Sequence, residues 1–301
     1  MRFVAFYLPG EGPRLGLVSE EDLVYDLTSA NGWTAYMDLV KAATERGVTV
    51  TRLVDEEWQG GGGGVFRYSD LDVAPRADRP HLLKPVDAPE VWGFGVTYYR
   101  SREAREYETT AKGIYDRVYD AERPEVFFKG TPARCVGPNE PVAIRFDSNW
   151  SVPEPELSFV VGYQGDIVGY TIGNDMSARD IEGDNPLYLP QAKIYTRSSA
   201  IGPAVVPPEA LDPRNLQMKC RILKEGEVLF EGEVSTNRLK RSPEELLHYL
   251  LRCNIIPPGT VAMTGTGIVP PDDFTLKGGE VVEIWVEKIG TLRNPVIRLE
   301  K

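Results

Sequence analysis

The sequence predicts an α+β protein, mostly β, with a small N-terminal α/β domain over residues 1–75 and a larger domain over residues 76–301. Three observations carry this. From residue 91 onward, short β-type runs alternate with Gly/Pro turns. Within that part, two stretches stand out with the apolar spacing of a helix. Before it lies a separate group of strand-like and helical segments that ends in a run of glycines.

The elements follow in order. "RFVAFYL" and "RLGLVSEEDLVYDLT" read as short strands joined by a Pro/Gly turn, and "TAYMDLVKAATERG" as a helix closed by glycine. Gly60 to Gly64 carry no side chains. A phosphate-binding loop would need a lysine and a following helix there, so the run reads as a flexible loop. The proline-rich "LDVAPRADRPHLLKPVDAPE" reads as the passage into the main domain. "SREAREYETTAKGIYDRVYDAER" is the clearest helical stretch and "SPEELLHYLLRCN" the second. In the latter, Ser242 is placed as N-cap and Pro243 in the first turn, with glutamates near the positive end of the dipole. His248 on that helix reads as a partly buried structural residue. No internal repeat is visible.

Composition narrows the function classes. A formal charge of −11 over 301 residues leaves no basic stripe for nucleic acid or an anionic membrane surface. Cys135, Cys220 and Cys253 are odd in number and widely separated, which argues against a disulfide framework or zinc knuckle and fits a reducing cytoplasm. There is no signal-peptide pattern at the start and no apolar run of membrane-spanning length. His81 and His248 are the only histidines, too few for a histidine-rich metal site.

The most informative stretch is "SVPEPELSFVVGYQGDIVGYTIGNDMSARD". Glu154 and Glu156 have period-two spacing, which puts both side chains on one strand face, roughly 7 Å apart. "QGD" at 164–166 signals a hairpin. If Gly165 and Asp166 form a two-residue loop, Glu156 lies opposite Asp175. Three converging carboxylates repel unless a cation neutralises them. An all-oxygen set suits a hard divalent ion, Mg2+, with Mn2+ or Ca2+ as alternatives. Any one of these residues alone would read as a solvated strand carboxylate; the triple favours the metal. Lys193 lies in "YLPQAKIYT", which has little other charge. Beside a metal and partly desolvated, its pKa would be lowered, making it a general base near neutrality.

Together with "AMTGTGIVPP" and "GGEVVEIWVEKIGTLRNPV", these motifs resemble the fumarylacetoacetate hydrolase family over roughly residues 85–298. The resemblance implies a β-roll catalytic domain, a divalent ion that chelates a 2-oxoacid, and a homodimer or homotetramer. It also implies metal ligands Glu154, Glu156 and Asp175, a catalytic Lys193, and a substrate contact at Thr266. One segment departs from the pattern. Where hydrolases of the family carry G-x-N-Y-x-x-H with a glutamate three residues on, this chain has "GFGVTYYRSREA". Gly95, Thr97 and Tyr98 match, but Ser101 and Ala104 replace the His/Glu pair that activates water. Neither replacement is a base near neutral pH, and His81 lies outside the motif.

What remains resembles the dehydratase branch of the family. That branch implies Glu125 as a second acid/base, in "RPEVFFKG", and a 2-keto-3-deoxy sugar acid as the small-molecule substrate. The expected reaction is dehydration of 2-keto-3-deoxy-D-arabinonate, identical to the xylonate compound, to 2,5-dioxopentanoate in oxidative pentose degradation. Lys193 would take the C3 proton and Glu125 would protonate the leaving C4 hydroxyl, or the reverse. Thr97, Tyr98, Arg102 and Gln191 are candidate substrate contacts, Gln191 sharing a face with Lys193 only if that stretch is extended. The rival readings are an acylpyruvate-type C–C hydrolase or decarboxylase and a non-catalytic 2-oxoacid-binding paralogue.

Overall fold

The computed structural model describes residues 1–58, 60, 63–109 and 113–301. Among these, a 12-stranded sheet forms the centre. Its path runs from Val65–Arg67 through Leu23–Asp26, Gly12–Val18 and Arg2–Leu8 to Ser199–Val206, then Ile167–Asp175, Pro155–Val161, Val261–Thr266, Val91–Gly95 and Glu125–Gly130. A 5-stranded sheet is built from Glu227–Ser235, Gln217–Lys224, Val281–Val286, Gly290–Arg298 and Val142–Ile144. The fold is α+β and dominated by sheet, as the turn-rich sequence predicts.

Burial explains why the central strands read as continuous apolar runs. Pro155–Val161 is buried at every position because both faces of the sheet are covered. Leu157, Phe159 and Ile172 pack with Met218, Ile222, Ile284 and Leu292 of the smaller sheet. Val160, Val168, Val205 and Val261 pack on the opposite side with Tyr36, Leu39 and Val40 from the helix Tyr36–Arg46. In contrast, Val281–Val286 alternates between buried and half-buried positions, the mark of a strand with one face on the core.

The N-terminal strands continue the central sheet through the pair Phe3↔Val205. The Tyr36 hydroxyl also donates to Val168 O at 2.6 Å. The division after residue 75 is therefore proposed as one of sequence and role, between an accessory part and a site-bearing part that share a sheet. Gly47 ends the helix at φ 65°, a conformation that glycine adopts without Cβ strain. Of the glycine run, positions 61 and 62 lie outside the described residues, while Gly64 O accepts from Asp26 N at 3.0 Å.

Two expectations change. The long helical stretch is two helices, Tyr99–Glu108 and Ile114–Asp120, with 110–112 outside the described residues. His248 is exposed rather than partly buried, because it lies on the outer face of Pro243–Leu251 while Leu246, Leu247 and Leu250 face the core. Ser242 caps that helix as expected, accepting from Glu245 N at 3.2 Å. No helix among the described residues is long and apolar enough to cross a membrane.

Candidate active site

The hairpin brings the three carboxylates together, though in a different register from the expected one. Glu156 pairs with Gly173, not Asp175. Asp175 N instead donates to Glu154 O at 3.0 Å, so Glu154 is the residue beside it. The physical cause is the turn. Gly162 N donates to Asp166 O at 2.8 Å, which closes a loop longer than two residues, and a bulge follows Val160. The resulting slip is even-numbered, so every side chain keeps its face. Oxygens of Glu154, Glu156 and Asp175 lie within 4.8 Å of one another, and all three residues are buried.

Cations surround two of the three. Lys193 Nζ donates to Glu154 Oε2 at 2.9 Å and Asp175 Oδ2 at 3.0 Å. Lys129 Nζ lies 2.6 Å from Asp175 Oδ1 and donates to Met176 O at 2.9 Å. Arg105 pairs with Glu154, and Arg179 lies 3.6 Å from it. Burial opposes ionisation of Glu154, but Arg105, Lys193 and Arg179 outweigh it and hold its carboxyl well below the usual range. Glu156 goes the other way. Burial and the neighbouring Asp175 and Glu154 push it well up, although Gly265 N donates to its Oε2 at 2.6 Å. That donor depends on glycine. Gly265 has φ +96°, and a Cβ there would sit 1.9 Å from Thr97 Oγ1.

A buried carboxyl driven upward by two like neighbours is a place short of positive charge. The donor set is oxygen only and convergent, which fits a hard divalent cation. Glu154, Glu156 and Asp175 are the residues that would hold it.

Lys193 is subject to opposing effects. Burial lowers its pKa, but Asp175 and Glu154 more than reverse that, and the ammonium is held above its ordinary range. Lys129, fully buried, is shifted downward because desolvation exceeds the attraction of Asp175.

Glu125 occupies the facing wall of the same cavity as Lys193, Glu154, Asp175, Glu182, Arg105, Ser101 and Thr266. It pairs with Gly95 across two strands, and a Cβ on Gly95 would sit 1.8 Å from Glu125 Oε2. The glycine is the space into which the carboxyl folds. Burial and the nearby Glu182 push Glu125 up to about 7, against the pull of Lys193 and Arg105. A carboxyl poised there exchanges protons near neutrality.

Residues 91–297 match the family model described as fumarylacetoacetate (FAA) hydrolase C-terminal. The chain belongs to the fumarylacetoacetate hydrolase family. It is 46% identical over 289 residues to a protein of Haloferax volcanii described as a probable 2-keto-3-deoxyxylonate dehydratase, covering 95% of this chain and 96% of that one. It is 50% identical over 239 residues to a 2-dehydro-3-deoxy-D-arabinonate dehydratase of Saccharolobus solfataricus, covering 78% of this chain and 80% of the relative. A solved structure of 2-keto-3-deoxy-D-arabinonate dehydratase complexed with magnesium and 2,5-dioxopentanoate superposes with a TM-score of 0.82. The two chains are 39% identical, and each is covered over its full length.

In this member of the fumarylacetoacetate hydrolase family, the segment lacking the His/Glu pair forms a helix over the cavity. Ser101 lines the cavity but spends its hydroxyl on Tyr98 O at 2.8 Å. Of the expected substrate contacts, Thr266 lines the cavity, and its Oγ1 donates to Ile268 O at 3.1 Å. Thr97 and Tyr98 are buried behind it, Thr97 Oγ1 donating to Thr264 O at 2.6 Å. Arg102 turns outward to Asp116 at 2.6 Å. Gln191 is exposed, because Leu189–Lys193 is a helix and residues two apart on a helix point to opposite sides. His81 is paired opposite Tyr7, in the N-terminal part of the sheet.

Lys129, Arg105, Arg179 and Glu182 were not singled out from the sequence. For Lys129 a signal existed: Glu125, Phe127 and Lys129 share strand parity, so a functional Glu125 implied an inward Lys129.

Proposed function

We propose that this protein is a Mg2+-dependent hydro-lyase that dehydrates a 2-keto-3-deoxy sugar acid, 2-keto-3-deoxy-D-arabinonate, to 2,5-dioxopentanoate. The observation that carries it is an oxygen-only cluster of Glu154, Glu156 and Asp175 at a cavity lined by Lys193 and by a Glu125 poised near neutrality, with no histidine among the lining residues. The relatives' activities and the magnesium in the solved structure support the same reading.

Glu154, Glu156 and Asp175 would hold a divalent cation, which would supply Lewis acidity that makes the C3 protons removable. Glu125 takes a C3 proton. Lys193, held as an ammonium beside Glu154 and Asp175, donates to the C4 hydroxyl as the C4–O bond breaks and water leaves. Loss of a C5 proton and return of a proton to C3 shift the double bond to an enol, which tautomerises to the C5 aldehyde. Of the two possible orders this one is preferred because Lys193 Nζ lies between the carboxylates of Glu154 and Asp175, which favour its charged form. Ser101 and Ala104 leave no base for water at the hydrolase position, which disfavours C–C cleavage.

Homodimeric or homotetrameric assembly, cytoplasmic location and the absence of a nucleic-acid partner belong to the same proposal. They are supported by family membership, free Cys135, Cys220 and Cys253, and the charge of −11. Purified protein incubated with Mg2+ and either the deoxy-pentonate or an acylpyruvate tests the reading. Release of 2,5-dioxopentanoate from the first alone is expected; turnover of only the second would establish the hydrolase.

A further inference from the structure

Glu182 is neither a metal ligand nor a proton-transfer group, although its charge helps to raise Glu125, and it reaches the cavity. It comes from the helix Arg179–Asp184, which follows the strand that supplies Asp175 after the short strand Ser177–Ala178. Its side chain is 6% exposed. One carboxylate oxygen, Oε1, lies 3.0 Å from Arg105 Nε. The other, Oε2, is buried without a hydrogen-bond partner. A buried carboxylate oxygen left unpaired is costly, and native proteins seldom tolerate one without a use. Arg105 also grips Glu154 and sits one helical turn from Ser101, so the ion pair is fixed from two sides. The residue that carries this oxygen lines the cavity together with Glu125, Lys193, Glu154 and Asp175.

We propose that Glu182 Oε2, braced by Arg105, accepts a hydrogen bond from the C5 hydroxyl of the substrate and so selects sugar acids over plain 2-oxoacids. The inference rests on the dehydration proposed above. Between the two hydroxyls of the deoxy-pentonate, the chemistry selects C5. The C4 oxygen leaves as water and needs a proton donor, which a carboxylate paired to a guanidinium does not provide. The C5 oxygen is retained through the reaction, and its hydrogen is free to be donated. A hydrogen bond to a charged group, made in a water-poor cavity, discriminates strongly against an analogue that lacks the hydroxyl.

The test is calorimetric binding to the Mg2+-loaded protein of 5-hydroxy-2-oxopentanoate and 2-oxopentanoate, which differ only at C5 and have no C4 hydroxyl to eliminate. Wild type should bind the hydroxylated acid about 10- to 100-fold more tightly, and Glu182→Gln should bring the ratio toward one. Equal affinities in wild type, binding of neither acid, or an unchanged ratio in Glu182→Gln would overturn the assignment. The wild-type comparison stands even if the variant fails to fold. Turnover of the deoxy-pentonate is measured separately, so absence of dehydration and absence of C5 recognition are read from different experiments.

Discussion

At its turn end, the hairpin of Pro155–Val161 and Ile167–Asp175 is closed by apolar contact. Val160 and Val168 meet Val205, Val261 and the Tyr36 helix, and a Cβ on Gly169 would sit 2.3 Å from Val205. At its open end, the same two strands carry Glu154, Glu156 and Asp175, equally buried, against Lys193, Lys129, Arg105 and Arg179. The two ends have similar burial and opposite physics. The apolar end gains stability from area removed from water and tolerates substitutions of like volume. The charged end loses solvation for every group it buries, and each ion depends on its partners. Stability is thus concentrated at one end of the ladder and chemistry at the other, and substitutions should separate the two.

The largest effect expected is on turnover. Glu125→Gln should lower kcat by about 10^2- to 10^4-fold, while Mg2+ affinity stays near that of wild type. A parallel loss of metal affinity would move Glu125 into the ligand set. Glu156→Gln should weaken Mg2+ binding by about 100-fold, judging by the sensitivity of metal sites to their surrounding shell, and calorimetry with the metal alone reads this directly. Undiminished affinity would discredit the three-carboxylate site.

At the turn end, Val160→Ala should cost about 2–3 kcal/mol in denaturant unfolding, with kcat of the folded enzyme little changed. A matching loss of kcat would show that the two ends are not separable. A smaller effect is expected from Gly95→Ala, where the added methyl displaces the Glu125 carboxyl. kcat should fall about tenfold or more, on the scale of a misplaced proton-transfer group, with KM nearly unchanged.

The smallest effect is on thermal stability. Folding raises Glu125 from 4.5 to about 7 and so favours its protonated form. The stability this group supports is present below pH 4.5 and lost as pH rises to about 7. The Tm of wild type, measured against that of Glu125→Gln, should decline across that window and level off above it. Acting as the C3 base, Glu125 should also give kcat/KM an acidic limb with a midpoint near 7; a limb falling above 7 instead would make it the proton donor.

The sheet-dominated fold was readable because turn residues punctuate the later part of the chain and strand parity is robust. Parity also rescued the ligand set: the register was misjudged at the Gly162–Asp166 turn, but an even slip preserves faces, so Glu154 took the place assigned to Glu156. Lys193 was visible as a residue, but its direct pairing with two carboxylates within 3.0 Å was not, because only the fold brings them to it. Glu182 and Arg105 stayed hidden for a related reason. Their meaning appears only when the two helices that carry them meet over the cavity. Gln191 was misplaced by an assumed strand where the chain coils.

The helix Tyr99–Glu108 supplies Ser101 and Arg105 to the cavity from one short contiguous segment, whereas the carboxylates come from two strands. The positions that distinguish cleavage from dehydration, Ser101 and Ala104, thus lie in a stretch apart from the ligand carboxylates and tied to them through Arg105 and Glu154. Grafting a ten-residue cassette that keeps Arg105 is then the natural route to redirect this scaffold, because it changes what is done to the bound keto acid while leaving the brace on Glu154 in place.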